Sequence, residues 1–222
     1  MIDLYYLQIP SLEDFERHKN NLIRHLPKED QELSLQKDFN KTRLSSFLGK
    51  IVVYYLATQK IDSFQNIPFS FHSQGKPFFK EYPDFHFNIS HSTDYVVVGI
   101  SDNELGVDIE RIREYKKSIA ERFLHPEEFL FLESLDADKQ SFAFSSIWNL
   151  KESYVKYTGE GIANTFKEFA IDCKDNSTIQ ISGNTTPVSL KLLQEISGYL
   201  VSVCSLEAQN VSISRLAFAT LI

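Results

Sequence analysis

"LGVDIERI", Leu105 to Ile112, reads as a short buried strand interrupted by two carboxylates, Asp108 and Glu110. Strand residues two apart share a face and stand about 6.5–7 Å apart. Asp108 and Glu110 therefore project together, while Val107 and Ile109 face the other way. Like charges so placed repel, and they are costly to desolvate unless a cation or a donor lies between them. Two readings of the octet stand. One is a solvent-facing edge strand whose acids pair with Arg111 or Arg113. The other is one wall of a site for magnesium, which prefers carboxylate, phosphate and water oxygens.

Working outward, "DFHFNIS", "HSTD" and "YVVVGIS" predict a hairpin over Phe85–Ser101, with "ELGVDIE" as the next strand. Upstream lie a strand, "IDLYYLQI", a helix after Ser11 as N-cap, and a helix from Thr42 to about Ile61. In that second helix Leu44, Phe47, Leu48, Ile51, Val52 and Tyr55 form a wide apolar stripe. Downstream come a helix around Lys116–Phe123, one opened by Pro126 with Glu127 and Glu128, and one from about Ser141 to Tyr157. The strands "EFAIDC", "STIQIS", "VSLKLLQ" and "GYLVSVCS" follow. Each half thus orders helices before an antiparallel sheet. The prediction is an α+β protein of two similar lobes, 1–102 and 103–222, divided at the polar run "SDNE".

With 222 residues, 42% of them hydrophobic, the chain is long enough to bury a substantial core. Thirty acidic against 23 basic residues, a formal charge of -7, argue against a broad electropositive surface for nucleic acid. Cys173 and Cys204 stand apart from each other and from the six histidines, so neither a zinc site nor a disulfide framework is indicated. "MIDLYYLQIP" lacks a basic start and a long apolar core, and no run of about 18 apolar residues occurs. A cytoplasmic protein without a membrane partner is expected.

A second constellation is "WNLKESYVKYTGEGI", Trp148 to Ile162. Glu152 and Lys156, four apart, share a helix face, with Trp148 one turn earlier. By default that is an exposed ion pair worth about 0.2–0.5 kcal/mol beside a core tryptophan. Gly159 suits a helix C-cap, and Gly161 a close backbone approach. Neither a P-loop nor a dinucleotide fingerprint is present. In the first half, "NISHS" places Ser90 and His91 at the predicted hairpin tip, "QGKPFF" places Lys76 in a turn, and Arg43 lies early in the long helix. Singly, each is a solvated side chain. Ser90 and His91 form no hydrolase dyad, because adjacent residues diverge and no nucleophile elbow occurs.

Taken together and in order, "GKP" (Gly75–Pro77), "FNISHS" (Phe87–Ser92), "GVDIE" (Gly106–Glu110) and "WNLKESYVKYTGEG" (Trp148–Gly161) resemble the surfactin-type (Sfp-like) 4'-phosphopantetheinyl transferases. Ser153 stands where many members carry alanine. The resemblance covers most of the chain and implies the family's pseudo-twofold fold with the active site in the cleft between the lobes. It implies transfer of the phosphopantetheine arm of coenzyme A to a serine of an apo acyl or peptidyl carrier protein, releasing adenosine 3',5'-bisphosphate. Asp108, Glu110 and Glu152 would hold magnesium, Lys156 would assist the departing group, and Glu152 would act as base. Arg43 and His91 would contact the 3'-phosphate, with Lys76, Ser90 and Lys28 as further coenzyme A contacts. Lys28 stands nearly alone, since the residues after it are mostly acidic until Lys37 and Lys41. Carrier docking is assigned to Arg111, Arg113, Lys116 and Lys117, a run that a solvated helix face explains equally well. A monomer is expected. The rival readings are a magnesium-dependent phosphohydrolase acting on nucleotide diphosphates, which leaves the "GKP" and "SHS" elements without a role, and a non-catalytic coenzyme A or nucleotide-binding module.

Overall fold

The N-terminal strand β1 (Ile2–Gln8) buries Ile2 and Leu4 on one face and Leu7 on the other, all three almost wholly covered. The computed structural model describes residues 1–35, 39–159, 165–172, 180–182, 188–207 and 210–222. It resolves into two units, Met1–Asn103 with Val211–Ile222, and Glu104–Asn210.

In the first unit, helix α1 (Leu12–Ile23) begins where Ser11 Oγ accepts the Asp14 N–H at 3.0 Å. Helix α2 (Lys28–Leu35) follows, then α3 (Lys41–Lys60). Five residues of the predicted α3 stripe, Leu44, Phe47, Leu48, Ile51 and Val52, enter the core. Each such burial is worth about 1.5–3 kcal/mol. Helix α3 packs on the hairpin of β4 (His86–Ser92) and β5 (Tyr95–Ser101). Between helix and hairpin a small ladder, β2 (Ser70–Phe71) with β3 (Pro77–Phe78), carries the "GKP" turn.

Two sequence expectations need correction here. The β4–β5 ladder continues to Ser92 opposite Tyr95, so the tip is Thr93–Asp94, and Ser90 and His91 are strand residues. Cross-strand hydrogen bonding outweighs the turn preference of these polar residues. The second correction concerns the C-terminus. Strand β11 (Val211–Arg215) pairs with β1 in parallel, giving the order β11-β1-β5-β4. The expected second lobe of 103–222 therefore loses its last segment, and the first sheet is mixed rather than antiparallel.

In the second unit, strand β6 (Leu105–Arg111) leads into α4 (Lys117–Phe123), α5 (Pro126–Glu133) and α6 (Ala137–Thr158). Strands β7 (Ala170–Asp172) and β8 (Gln180–Ser182) pair with each other. Strands β9 (Ser189–Leu193) and β10 (Tyr199–Ser205) extend β6 into an antiparallel sheet of order β6-β10-β9. Helix α6 lies on β6 and β10. The contact is close because residue 106 is glycine: a Cβ there would stand 2.0 Å from Ser153 O and 2.4 Å from Tyr157 N. The helix ends at Gly159, whose φ of 72° is the left-handed conformation that glycine adopts without steric cost. Gly161 and Cys173 lie outside the described residues.

Candidate active site

Gly106, Asp108 and Glu110 share the face of β6 that meets α6. Asp108 is only 4% exposed, which removes the solvent-facing reading of the octet. Two of its partners come from α6. Lys156 Nζ donates to Asp108 Oδ1 at 2.6 Å, and Asn149 Nδ2 donates to Oδ2 at 2.7 Å. Asn149, Glu152 and Lys156 recur at helical spacing on the face turned to the sheet. The default exposed pair of Glu152 with Lys156 is thus replaced by a cross-element pair of Lys156 with Asp108.

Glu152, largely buried, has its carboxyl pushed up to about 7. Burial is the main cause and the Asp108 charge the next. Lys156 and the Trp148 indole hydrogen bond oppose them, and Glu110 adds to the rise. Glu110 is raised too, by burial first and by Asp108, against the pull of Arg113. Arg113 Nη2 lies 2.5 Å from Glu110 Oε1 as an ion pair on the rim. Asp108, Glu110 and Glu152 are all hard oxygen donors, and the Asp108 charge makes ionisation of both glutamates costlier, which is the chemistry magnesium prefers. Their grouping is a separate matter. Among the described residues no three Asp, Glu, His or Cys side chains are gathered closely enough to hold a metal ion. In this arrangement both Asp108 oxygens face Lys156 and Asn149.

The remaining candidates lie in the first unit. His91 Nε2 is 3.2 Å from Ser46 Oγ of α3. Arg43 is exposed one turn earlier on that helix, in a first turn capped by Asn40 Oδ1, which accepts the Arg43 N–H at 2.9 Å. Ser90 is buried, and strand alternation sets it on the face opposite His91. Lys76 sits in the β2–β3 turn, and Lys28 is the exposed first residue of α2. Of the proposed docking charges, Arg113 pairs with Glu110 and Lys117 with Glu133.

Sequence reasoning missed three participants. Asn149 was legible as the i−7 neighbour of Lys156. Ser46 was legible only once His91 was placed on a strand. The third is Lys151, fully buried on another face of α6. Its ammonium lies 3.0 Å from Glu128 and donates to the carbonyls of Phe166 and Phe169 at 2.8 and 2.5 Å.

The family profile described as "4'-phosphopantetheinyl transferase superfamily" matches residues 104–204, and "4'-phosphopantetheinyl transferase, N-terminal" matches residues 10–103. The chain is 34% identical to the 4'-phosphopantetheinyl transferase gsp of Aneurinibacillus migulanus, over 97% of this chain and 92% of that one. It is 30% identical to psf-1 of Bacillus pumilus, over 72% and 70% of the two chains. With Sfp of Bacillus subtilis strain 168 it shares 30%, over 77% and 75%. Two profiles that together span most of both units, and a relative alike along nearly the whole length, establish that this chain belongs to the 4'-phosphopantetheinyl transferase superfamily.

Proposed function

We propose that this protein moves the 4'-phosphopantetheine arm of coenzyme A onto a serine of an apo acyl or peptidyl carrier protein, with magnesium. The observation that carries the reading is the buried Asp108 gripped by Lys156 and Asn149, with Glu152 on the same helix face. In the proposed reaction the carrier serine Oγ attacks the phosphorus bearing the pantetheine arm. A new P–O bond forms, the P–O bond to the adenosine side breaks, and adenosine 3',5'-bisphosphate leaves with the electron pair. Glu152 takes the serine proton, and the Lys156 ammonium offsets charge growing on the departing oxygen. Asp108, Glu110 and Glu152 are the residues that would have to draw together to hold magnesium, which when bound would neutralise diphosphate charge.

Arg43, His91, Lys76 and Lys28 are the proposed contacts of the adenosine bisphosphate portion. Ser90 does not share the His91 face and is left out. The reading also carries a monomer working in the cytoplasm. Among the described residues no helix is long and apolar enough to cross a membrane. Incubation with coenzyme A, magnesium and an apo carrier protein, followed by intact mass, tests the reaction. Transfer adds about 340 Da to the carrier serine, as covalent group-carrier chemistry requires. Release of phosphate products with no mass gain on several apo carriers would instead mark a hydrolase.

A further inference from the structure

Asn149 is fully buried, yet among the described residues its Oδ1 has no hydrogen-bond partner. A buried acceptor left unpaired is costly and calls for an explanation. The amide cannot turn over to relieve it, because Oδ1 would then face the Asp108 carboxylate oxygen that Nδ2 now meets at 2.7 Å. The orientation of Asn149 is therefore dictated by Asp108, at the expense of the asparagine's own acceptor. The turn of helix that carries it is separately anchored: Ser202 Oγ of β10, directly opposite Asp108 in the ladder, donates to Asn149 O at 2.7 Å.

A carboxylate rotates easily about its terminal torsion, which is broad and nearly two-fold. A single hydrogen bond from Lys156 to one oxygen does not by itself set that rotation. Asn149 holds the other oxygen from two turns earlier on the same helix, which sets the plane of the carboxylate. We infer that Asn149 is a positioning residue for the transfer site: its amide fixes the rotation of Asp108, so that Asp108 and Lys156 together meet incoming coenzyme A in one orientation. The inference rests on the reaction proposed above.

The test compares wild type with Asn149→Leu, of similar size but without a donor, and with Ser202→Ala, which loosens the same helix turn without touching Asp108. Three quantities are read: kcat/KM for coenzyme A, KM for the carrier, and a calorimetric Kd for coenzyme A with magnesium. For Asn149→Leu we expect kcat/KM for coenzyme A to fall about tenfold or more and the calorimetric Kd to weaken. KM for the carrier should stay within about twofold, and Ser202→Ala should stay within about twofold throughout. Should Asn149→Leu fail to fold, Asn149→Ser, which is smaller and keeps a donor, is expected to show a lesser loss of the same kind. Unchanged coenzyme A parameters in the variant that folds overturn the inference, as does an equal loss in Ser202→Ala. No transfer by wild type would instead sink the reaction itself.

Discussion

Helix α6 carries two lysine–carboxylate pairs five residues apart, and they are built to opposite ends. Lys151 and Glu128 are sealed, with side chains 0% and 2% exposed, whereas Lys156 and Asp108 are 26% and 6% exposed. All three Lys151 donors have acceptors: Glu128 Oε1, Phe166 O and Phe169 O. Glu128 is equally occupied, accepting Ile171 N–H at 2.8 Å and His125 N–H at 3.0 Å. A network closed in this way holds α5, α6 and β7 together and offers nothing to a ligand. Around Lys156 and Asp108 the charges do not close: Glu152 is held near 7, Glu110 is raised, and Asn149 keeps an unpaired acceptor. The same pair of residue types serves structure where it is complete and chemistry where it is left incomplete.

Breaking the sealed pair should give the largest effect. Lys151→Met strands Glu128 in the core, and uncompensated buried charges cost about 3–5 kcal/mol. Urea unfolding measures it. The double variant Lys151→Met, Glu128→Leu should regain much of that stability, since apolar pairs of similar volume often replace buried ion pairs at little cost. If the double variant is no more stable than the single one, the sealed pair is more than a structural tie.

Breaking the open pair should act on rate instead. Asp108→Asn keeps size and removes charge, and is expected to slow transfer by about 10²–10³-fold or more, the scale set by loss of one preorganised electrostatic group. Its circular dichroism should match wild type. Retained transfer would remove Asp108 from the site.

Gly106→Ala should touch both properties moderately. The new methyl would meet the α6 backbone, and relieving such overpacking costs about 1–3 kcal/mol. Because the relief moves β6 from α6, transfer should fall further than the stability loss alone explains. A stability loss with kinetics unchanged would show that the Asp108 geometry tolerates the shift.

How much of this was legible in the sequence differs between elements. The α3 stripe, the β4–β5 hairpin, strand β6 and the α6 C-cap at Gly159 are local patterns, and each falls within a few residues of its expected place. Strand β11 was not foreseen: its partner β1 lies at the other end of the chain, and no local signal encodes that pairing. Helix α2 was also missed, because its residues are mostly polar and show little apolar periodicity. At the site, the shared face of Asp108 and Glu110 follows from strand alternation. The burial of Asp108 does not, since it depends on how closely Gly106 lets α6 approach. Lys151 looked like one more helix lysine, because its acceptors at Phe166 and Phe169 are main-chain oxygens with no sequence signature.

The smallest effect sharpens the contrast from the sealed side. Although Glu128 has three favourable partners, its carboxyl is raised above the ordinary value, because burial outweighs Lys151 and the two N–H donors. The native state therefore holds a proton that the unfolded chain has already released, over the interval between the two pKa values. Within that interval stability must fall as pH rises. The contribution is fully present below the unfolded value of about 4.5 and is lost as pH climbs through the folded one. Other carboxylates also titrate there, so the measurement is a difference: unfolding free energy of wild type minus that of Glu128→Gln, followed by urea titration from pH 4 upward. A difference that declines with pH means that the sealed pair pays for its burial even when every donor is met. A difference that grows with pH would mean that Lys151 wins over desolvation, and would make the sealed pair a source of net electrostatic stability.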